Sequence, residues 1–218
     1  MKIHADLSKR AVVESENLDW IASPMAGVDR RMLERDGEEV ARATSLVRYA
    51  PGSAFSAHRH DLGEEFLVLE GVFSDETGDF AKGMYVRNPP GSSHIPSSAP
   101  GATILVKLRQ MDPADSQFVR VDTTEPEGWK NNRDGERVLP LYSGPTEDVA
   151  MFDWAPGARF PMETLARGAE YFVVEGSFED NEGHYRAGTW LRLPAGSRQE
   201  IHTKTGAKVW RKTGHLGS

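Results

Sequence analysis

Apolar residues along the chain gather in short clusters. Residues 45–49, 65–70, 84–87 and 103–108 are rich in Val, Leu, Ile and aromatic side chains, and clusters of Pro, Gly, Ser and Asp separate them. That pattern predicts short β-strands joined by turns, with helix scarce. Residues 28–43 carry enough charge to pass for a surface helix, but Asp36-Gly37 in their middle favours a two-stranded hairpin. The acidic stretches 75–79 and 180–184 read as solvated hairpin turns, since their spacing does not fit an EF-hand calcium loop. Many short strands at regular spacing predict an all-β sandwich or barrel.

The pattern occurs twice. Ala50-Pro51-Gly52-Ser53-Ala54-Phe55 returns as Ala155-Pro156-Gly157-Ala158-Arg159-Phe160, a shift of 105 positions (50 to 155). The same shift carries Phe66-Leu67-Val68-Leu69-Glu70-Gly71 onto Tyr171-Phe172-Val173-Val174-Glu175-Gly176, then Gly83 onto Gly188, Pro89 onto Pro194 and Gly91 onto Gly196. An uninterrupted repeat of this kind means two equivalent units rather than a solenoid. Residues 110–126, with Asp112-Pro113 and Glu125-Pro126, form the natural connection, so the expected domains are 1–112 and 113–218.

Composition narrows the function classes. Acidic residues number 33 against 26 basic ones, a net charge of −7, and no Lys/Arg cluster is long enough to track a phosphate backbone, which excludes general nucleic-acid binding. No apolar run approaches the roughly 18 residues of a membrane span. Residues 1–6 lack the apolar stretch of a secretory signal, so the expected location is cytoplasmic. Cysteine is absent, which removes disulfides, thiolate metal sites and a cysteine nucleophile together. Any metal must be held by His and carboxylate.

Such residues cluster in the first unit. His58 and His60 stand two apart, so on a strand both imidazoles face one side about 7 Å apart along the backbone. Glu64 and Glu65 follow after Asp61-Leu62-Gly63, a break that can bring a carboxylate back towards the pair, and His94 follows the rigid turn Pro89-Pro90-Gly91-Ser92-Ser93. Three imidazoles and one carboxylate suit Zn, Fe(II), Mn, Ni or Cu, whereas Mg or Ca would want more oxygens. His4, His184, His202 and His215 have no partners by spacing and read as surface residues. Arg87 and Arg192 are equivalent under the shift and precede the Pro-Gly turns, which suggests a shared fold-stabilising contact. No Gly-rich phosphate loop, nucleophile elbow or Ser-His-Asp arrangement is visible.

The spacings carry a resemblance. Gly52, five residues, His58-Arg59-His60, three residues, Glu64, six residues and Gly71 reproduce the first motif of the cupin superfamily. Gly83, five residues, Pro89-Pro90-Gly91, two residues and His94 reproduce the second, with serine where many cupins have asparagine. The resemblance implies two double-stranded β-helix barrels in tandem, with His58, His60, Glu64 and His94 as metal ligands inside the first. More closely, residues 44–52, 58–65, 67–76 and 90–98 resemble the cupin domain of ChrR-type anti-sigma factors, whose corresponding His, His, Glu and His positions bind zinc. Those proteins grip the sigma factor with a separate module containing His and two Cys, and this chain has no Cys to build one.

The second unit is an internal control. Shifted by 105, the four ligand positions become Glu163, Leu165, Ala169 and Gln199, and Leu and Ala cannot coordinate. The expectation is one divalent transition metal per chain, Zn first, with Fe(II), Mn or Ni as alternatives. Glu65 matches Glu170, retained where the ligand cluster is lost, so Glu65 reads as structural and Glu64 as the ligand. Glu163, Glu170, Arg159 and Gln199 could line a pocket for an organic ligand, but a polar-filled structural barrel is the favoured reading. Two function classes follow from the resemblance. One is a regulatory or stress-sensing metal protein that acts on a protein partner. The other is an Fe(II)-dependent dioxygenase cleaving a small diketone or hydroxyacetophenone; a sugar isomerase or epimerase is a weaker third. No residue is assigned as catalytic, and the chain is expected to be a monomer or homodimer without nucleic-acid or membrane partners. Coordination discriminates: four protein ligands with no exchangeable position favour a sensor, and an open position beside an apolar cavity favours an enzyme.

Overall fold

The alternation of apolar and polar residues produces strands almost everywhere. The computed structural model describes residues 1–216, and its helical content among them is a single 3-10 turn, Ser15–Asn17. The 28–43 segment takes the hairpin that Asp36-Gly37 predicts: Val28–Gly37 and Ala41–Tyr49 pair antiparallel from Val28↔Tyr49 to Gly37↔Ala41.

Two compact units result, Met1–Ala5 with Asn17–Thr124, and Asp6–Glu16 with Glu125–Ser218. The segment Asp6–Glu16 thus packs with the second unit. In the first unit the main layer runs Lys2–Ile3, Val28–Gly37, Ala41–Tyr49, Ala102–Leu108, Glu64–Asp75, Met84–Asn88 and Val119–Asp122 in spatial order. In the second it runs Lys130–Arg133, Glu136–Ser143, Asp148–Trp154, Ala207–Thr213, Ala169–Glu179, Thr189–Leu193 and Ala11–Glu14. The seventh strand of each unit is notable. Val119–Asp122 pairs with Met84–Asn88, and Ala11–Glu14, early in the chain, pairs with the equivalent Thr189–Leu193 of the second unit.

The long strand Glu64–Asp75 belongs to both faces of the first barrel. Its first part pairs with Ala102–Leu108 and Met84–Asn88, and its last residues pair with Gly78–Ala81 and, through Ser74, with Ser97. The change of layer falls at Gly71, whose φ of 71° is in the left-handed region. A Cβ there would lie 1.9 Å from the Gly101 carbonyl oxygen, and one at the equivalent Gly176 2.1 Å from that of Gly206. Both layers close over apolar cores: Phe66, Phe73, Phe80, Val86 and Ile104 in the first unit, and Trp154, Tyr171, Phe178, Tyr185 and Val209 in the second.

Gly71→Ala should cost about 3 kcal/mol or more, because backbone strain and a backbone clash add. Gly52 also has positive φ, at 76°, but open space around it, so Gly52→Ala should cost only about 1–2 kcal/mol. Urea unfolding of both variants checks the ranking.

Candidate metal centre

Pairing of two short strands brings the histidines together. His58–Arg59 pairs antiparallel with Ser93–His94, and His58 faces His94 directly. His60 lies one residue beyond the first strand, where its N–H donates to the Ser92 carbonyl. Glu64 opens the long strand opposite Asn88. The ring centroids of His58, His60 and His94 are 4.7–4.9 Å apart, and one donor atom from each of His58, His60, Glu64 and His94 lies within 4.8 Å of every other. His60, Glu64 and His94 are buried and His58 is half-buried.

Neighbours set the direction of each ring. His58 Nδ1 is 2.9 Å from the Ser56 carbonyl, which can only accept, so Nδ1 carries the proton and Nε2 presents its lone pair. His94 Nδ1 donates in the same way to Asp75 Oδ2 at 3.2 Å. The Nε2 atoms of His60 and His94 are buried without a hydrogen-bond partner, although each lies 3.3 Å from Glu64 Oε2. Buried lone pairs aimed at one point and left without a donor are what a cation would satisfy, so this cluster could hold a metal ion. Asn88 Nδ2 approaches Glu64 Oε2 at 3.5 Å, and Arg120 Nη2 donates to Asn88 Oδ1 at 2.8 Å, which fixes the amide beside the carboxylate.

Electrostatics agree with a site built for a cation. Burial pushes the Glu64 carboxyl up to about 8. Burial, together with the neighbouring imidazoles, pushes His60 down to about 3, so its ring is neutral at ordinary pH.

Glu65 turns away from the cluster. It accepts from Tyr85 Oη at 2.5 Å and Arg87 Nη1 at 3.4 Å, and Arg87 Nη2 lies 2.6 Å from Asp115. In the second unit Glu170 takes the same place, accepting from Trp190 Nε1 at 2.7 Å, and Arg192 Nη2 donates to the Asp6 carbonyl at 2.9 Å. Both arginines thus tie an edge of their unit.

Two sequence expectations need correction. Asp75 is not a solvated turn residue: its side chain is 1% exposed and fastens His94. The retention of Asp75 as Asp180 under the 105-residue shift was the signal, since Asp180 holds Gln199 at 3.1 Å in the same way. His215 is not a surface residue either. Its side chain is fully buried with Nε2 2.7 Å from Glu170, because the end of the chain returns to that carboxylate. His4 and His184 are exposed and His202 is half-buried.

Of the shifted ligand positions of the second unit, Leu165, Ala169 and Gln199 are buried and Glu163 is half-buried. Leu165 and Ala169 pack in its apolar cluster, Tyr171 donates to Gln199 Oε1 at 2.7 Å, and Arg159 is exposed. Large side chains fill the interior: Trp154, Phe152 and Arg211 stand where the first unit has Tyr49, Val47 and Val106. In the first unit those smaller residues border a cavity of about 330 Å³ that reaches His58, His60 and Glu64. Its wall is mostly apolar, from Val28, Val47, Tyr49, Ile104 and Val106.

A family model described as the ChrR cupin-like domain matches residues 8–112 and again 116–217. No curated protein matches the chain in sequence. Among solved structures, a candidate dioxygenase from Nostoc punctiforme is similar with a TM-score of 0.78 at 15% identity over 94% of this chain and 82% of that one. Protein Ylba from Escherichia coli gives 0.74 at 16% identity, covering 98% and 94%. A deletion variant of Bacillus subtilis oxalate decarboxylase gives 0.66 at 13% identity, covering 93% and 76%. At these identities the likeness is one of fold.

About one divalent ion per chain is expected by elemental analysis, lost in His58→Ala/His60→Ala. Asp75→Asn, which leaves all four donors in place, should weaken metal binding by about 10- to 100-fold in a competition titration. In the metal-free chain Glu64 opposes folding as pH rises, because its folded pKa of about 8 lies above the ordinary 4.5. Stability should therefore fall between roughly pH 4.5 and 8, and Glu64→Gln should remove that slope. His60 acts oppositely: its depressed pKa costs stability as pH drops below about 6.5. Urea midpoints of metal-free wild type and Glu64→Gln across this range separate the two.

Proposed function

Because the chain belongs to the ChrR cupin-like domain family, we propose that its first unit is a mononuclear metal centre acting on a small organic molecule, in the dioxygenase class. The observation that carries this reading is the apolar cavity of about 330 Å³ that ends on His58, His60 and Glu64. A centre used only to hold a barrel together has no need of such a space, and the second unit fills the same place with Trp154 and its neighbours.

A divalent transition ion bound by the three histidines and Glu64 would supply Lewis-acid polarisation of a carbonyl and, as Fe(II), access to oxygen chemistry. The remaining parts are the protein's own. Ser56 and Asp75 hold the imidazoles of His58 and His94 with Nε2 towards the centre. The apolar wall excludes water from a molecule lying against them, which strengthens polar interactions at its reacting end. Glu64, steadied at Oε2 by the Asn88 amide that Arg120 holds, completes the donor set next to that end.

The regulatory reading has one observation in its favour, the fourth protein donor, Glu64, which leaves fewer positions for an outside molecule. Manganese also remains a candidate ion, since Mn(II) centres are described for Bacillus subtilis oxalate decarboxylase, a protein of the same fold.

Oxygen consumption decides between the readings. The Fe(II)-reconstituted chain is expected to consume oxygen with pentane-2,4-dione or a hydroxyacetophenone, saturably and not in His58→Ala/His60→Ala. A zinc-filled chain that consumes none after iron exchange would move the assignment to a regulatory metal protein with a protein partner.

A further inference from the structure

The cavity of the first unit has a second chemistry besides its apolar wall. Four arginines border it, Arg30, Arg35, Arg59 and Arg109, against two acids apart from Glu64, namely Glu39 and Asp61. In a chain of net charge −7 this is a local reversal of sign. Arg109 is taken up by Asp61 at 3.1 Å and Arg35 donates to the Glu38 carbonyl, but neither Arg35 nor Arg59 forms an ion pair among the described residues.

Arg30 is the informative member. It sits on the strand Val28–Gly37 directly opposite Val47, another cavity residue. Its guanidinium grips the Glu39 carboxylate at 3.0 and 3.3 Å, while its Nε is buried without a hydrogen-bond partner. The two partners are unequally placed: the Arg30 side chain is 19% exposed and that of Glu39, near the tip of the hairpin, 65%. Glu39 therefore loses little on swinging out into water, but Arg30 in the cavity wall needs an anion wherever Glu39 goes. Burial, and after it the charge of Arg30, lowers the Arg35 pKa, and the charges of Glu39 and Glu38 only partly oppose this.

We propose that Arg30, with Arg35 beside it, is the receptor for a carboxylate on the molecule that enters the cavity, and that Glu39 is the internal occupant which this carboxylate displaces. The proposal rests on the reading of the centre as an organic-molecule site and adds the ligand class: a small acid whose carboxylate lies at the arginines and whose other end reaches the histidines. A guanidinium fork matches a carboxylate in two bonds, which a neutral group of the same size cannot reproduce.

Titration calorimetry on the full metal-loaded chain tests it with two compounds, heptane-2,4-dione and 4,6-dioxoheptanoate, the same diketone without and with a carboxylate. The acid is expected to bind about tenfold tighter or more. Arg30→Gln should erase that preference and leave the neutral diketone unchanged, and Glu39→Gln should tighten the acid several-fold by removing its competitor. Equal affinities in wild type, or a preference that survives Arg30→Gln, overturn the receptor and leave the metal-centre reading standing. Diketone binding that is indifferent to metal, or to His58→Ala/His60→Ala, overturns the metal-centre reading, and the acid preference still judges the receptor. No binding by either compound overturns both.

Discussion

Imidazole nitrogens without a proton, buried away from water, cost free energy unless something donates to them or coordinates them. The first unit gathers such atoms at one point and then fixes them there through Ser56, Asp75 and Asn88. Ser56 and Asp75 take the outer nitrogen of their rings and leave Nε2 to the centre, while Asn88 steadies the Glu64 Oε2 that already faces His60 and His94. The surrounding architecture follows from that constraint. The strand Glu64–Asp75 must supply Glu64 at one end and Asp75 at the other, on two layers, so it must turn between them, and Gly71 is where it does. The short pair His58–Arg59 and Ser93–His94 must lie close enough for two rings to converge.

The second unit shows what the same frame becomes when that constraint is lifted. Gln199 keeps the bond to Asp180 that His94 makes to Asp75, and Tyr171 closes the remaining valence of the amide. Both ends of the Gln199 amide thus have protein partners, and no cluster of potential metal ligands forms among the described residues of that unit. With no ligand to admit, larger side chains fill the space, and Trp154 ties its indole N–H to Glu136 at 2.8 Å. The two units thus separate the requirements of the barrel, which both meet, from those of a site, which only the first meets.

Much of this was legible in the sequence, for definable reasons. Strand positions, the hairpin at Asp36-Gly37, the repeat and the four clustered residues all depend on local spacing, which a sequence states directly. The division of labour between Glu64 and Glu65 was legible because the repeat retains one and drops the other. Asp75, Asn88 and Arg120 were not read as part of the centre, since their contacts arise between strands far apart in sequence. The burial of His215 was hidden for the same reason. Nor does the pattern of Ala11–Glu14, alternating buried and exposed, say which of two equivalent edges it will cover. That choice belongs to the assembled fold.

The destination of that strand alters what the chain is as a mechanical object. Followed from its start, it begins in the first unit, passes to the second for residues 6–16, returns for residues 17–124 and leaves again for the rest. Three covalent crossings therefore join the two bodies, where a simple tandem would have one. A protease that nicked the long connection would leave two crossings intact, and the severed product would stay buckled together by the strand Ala11–Glu14. By the same token neither half can be lifted out as a module: residues 125–218 alone would expose the edge of Thr189–Leu193, and the strand meant to cover it would be left behind without a sheet.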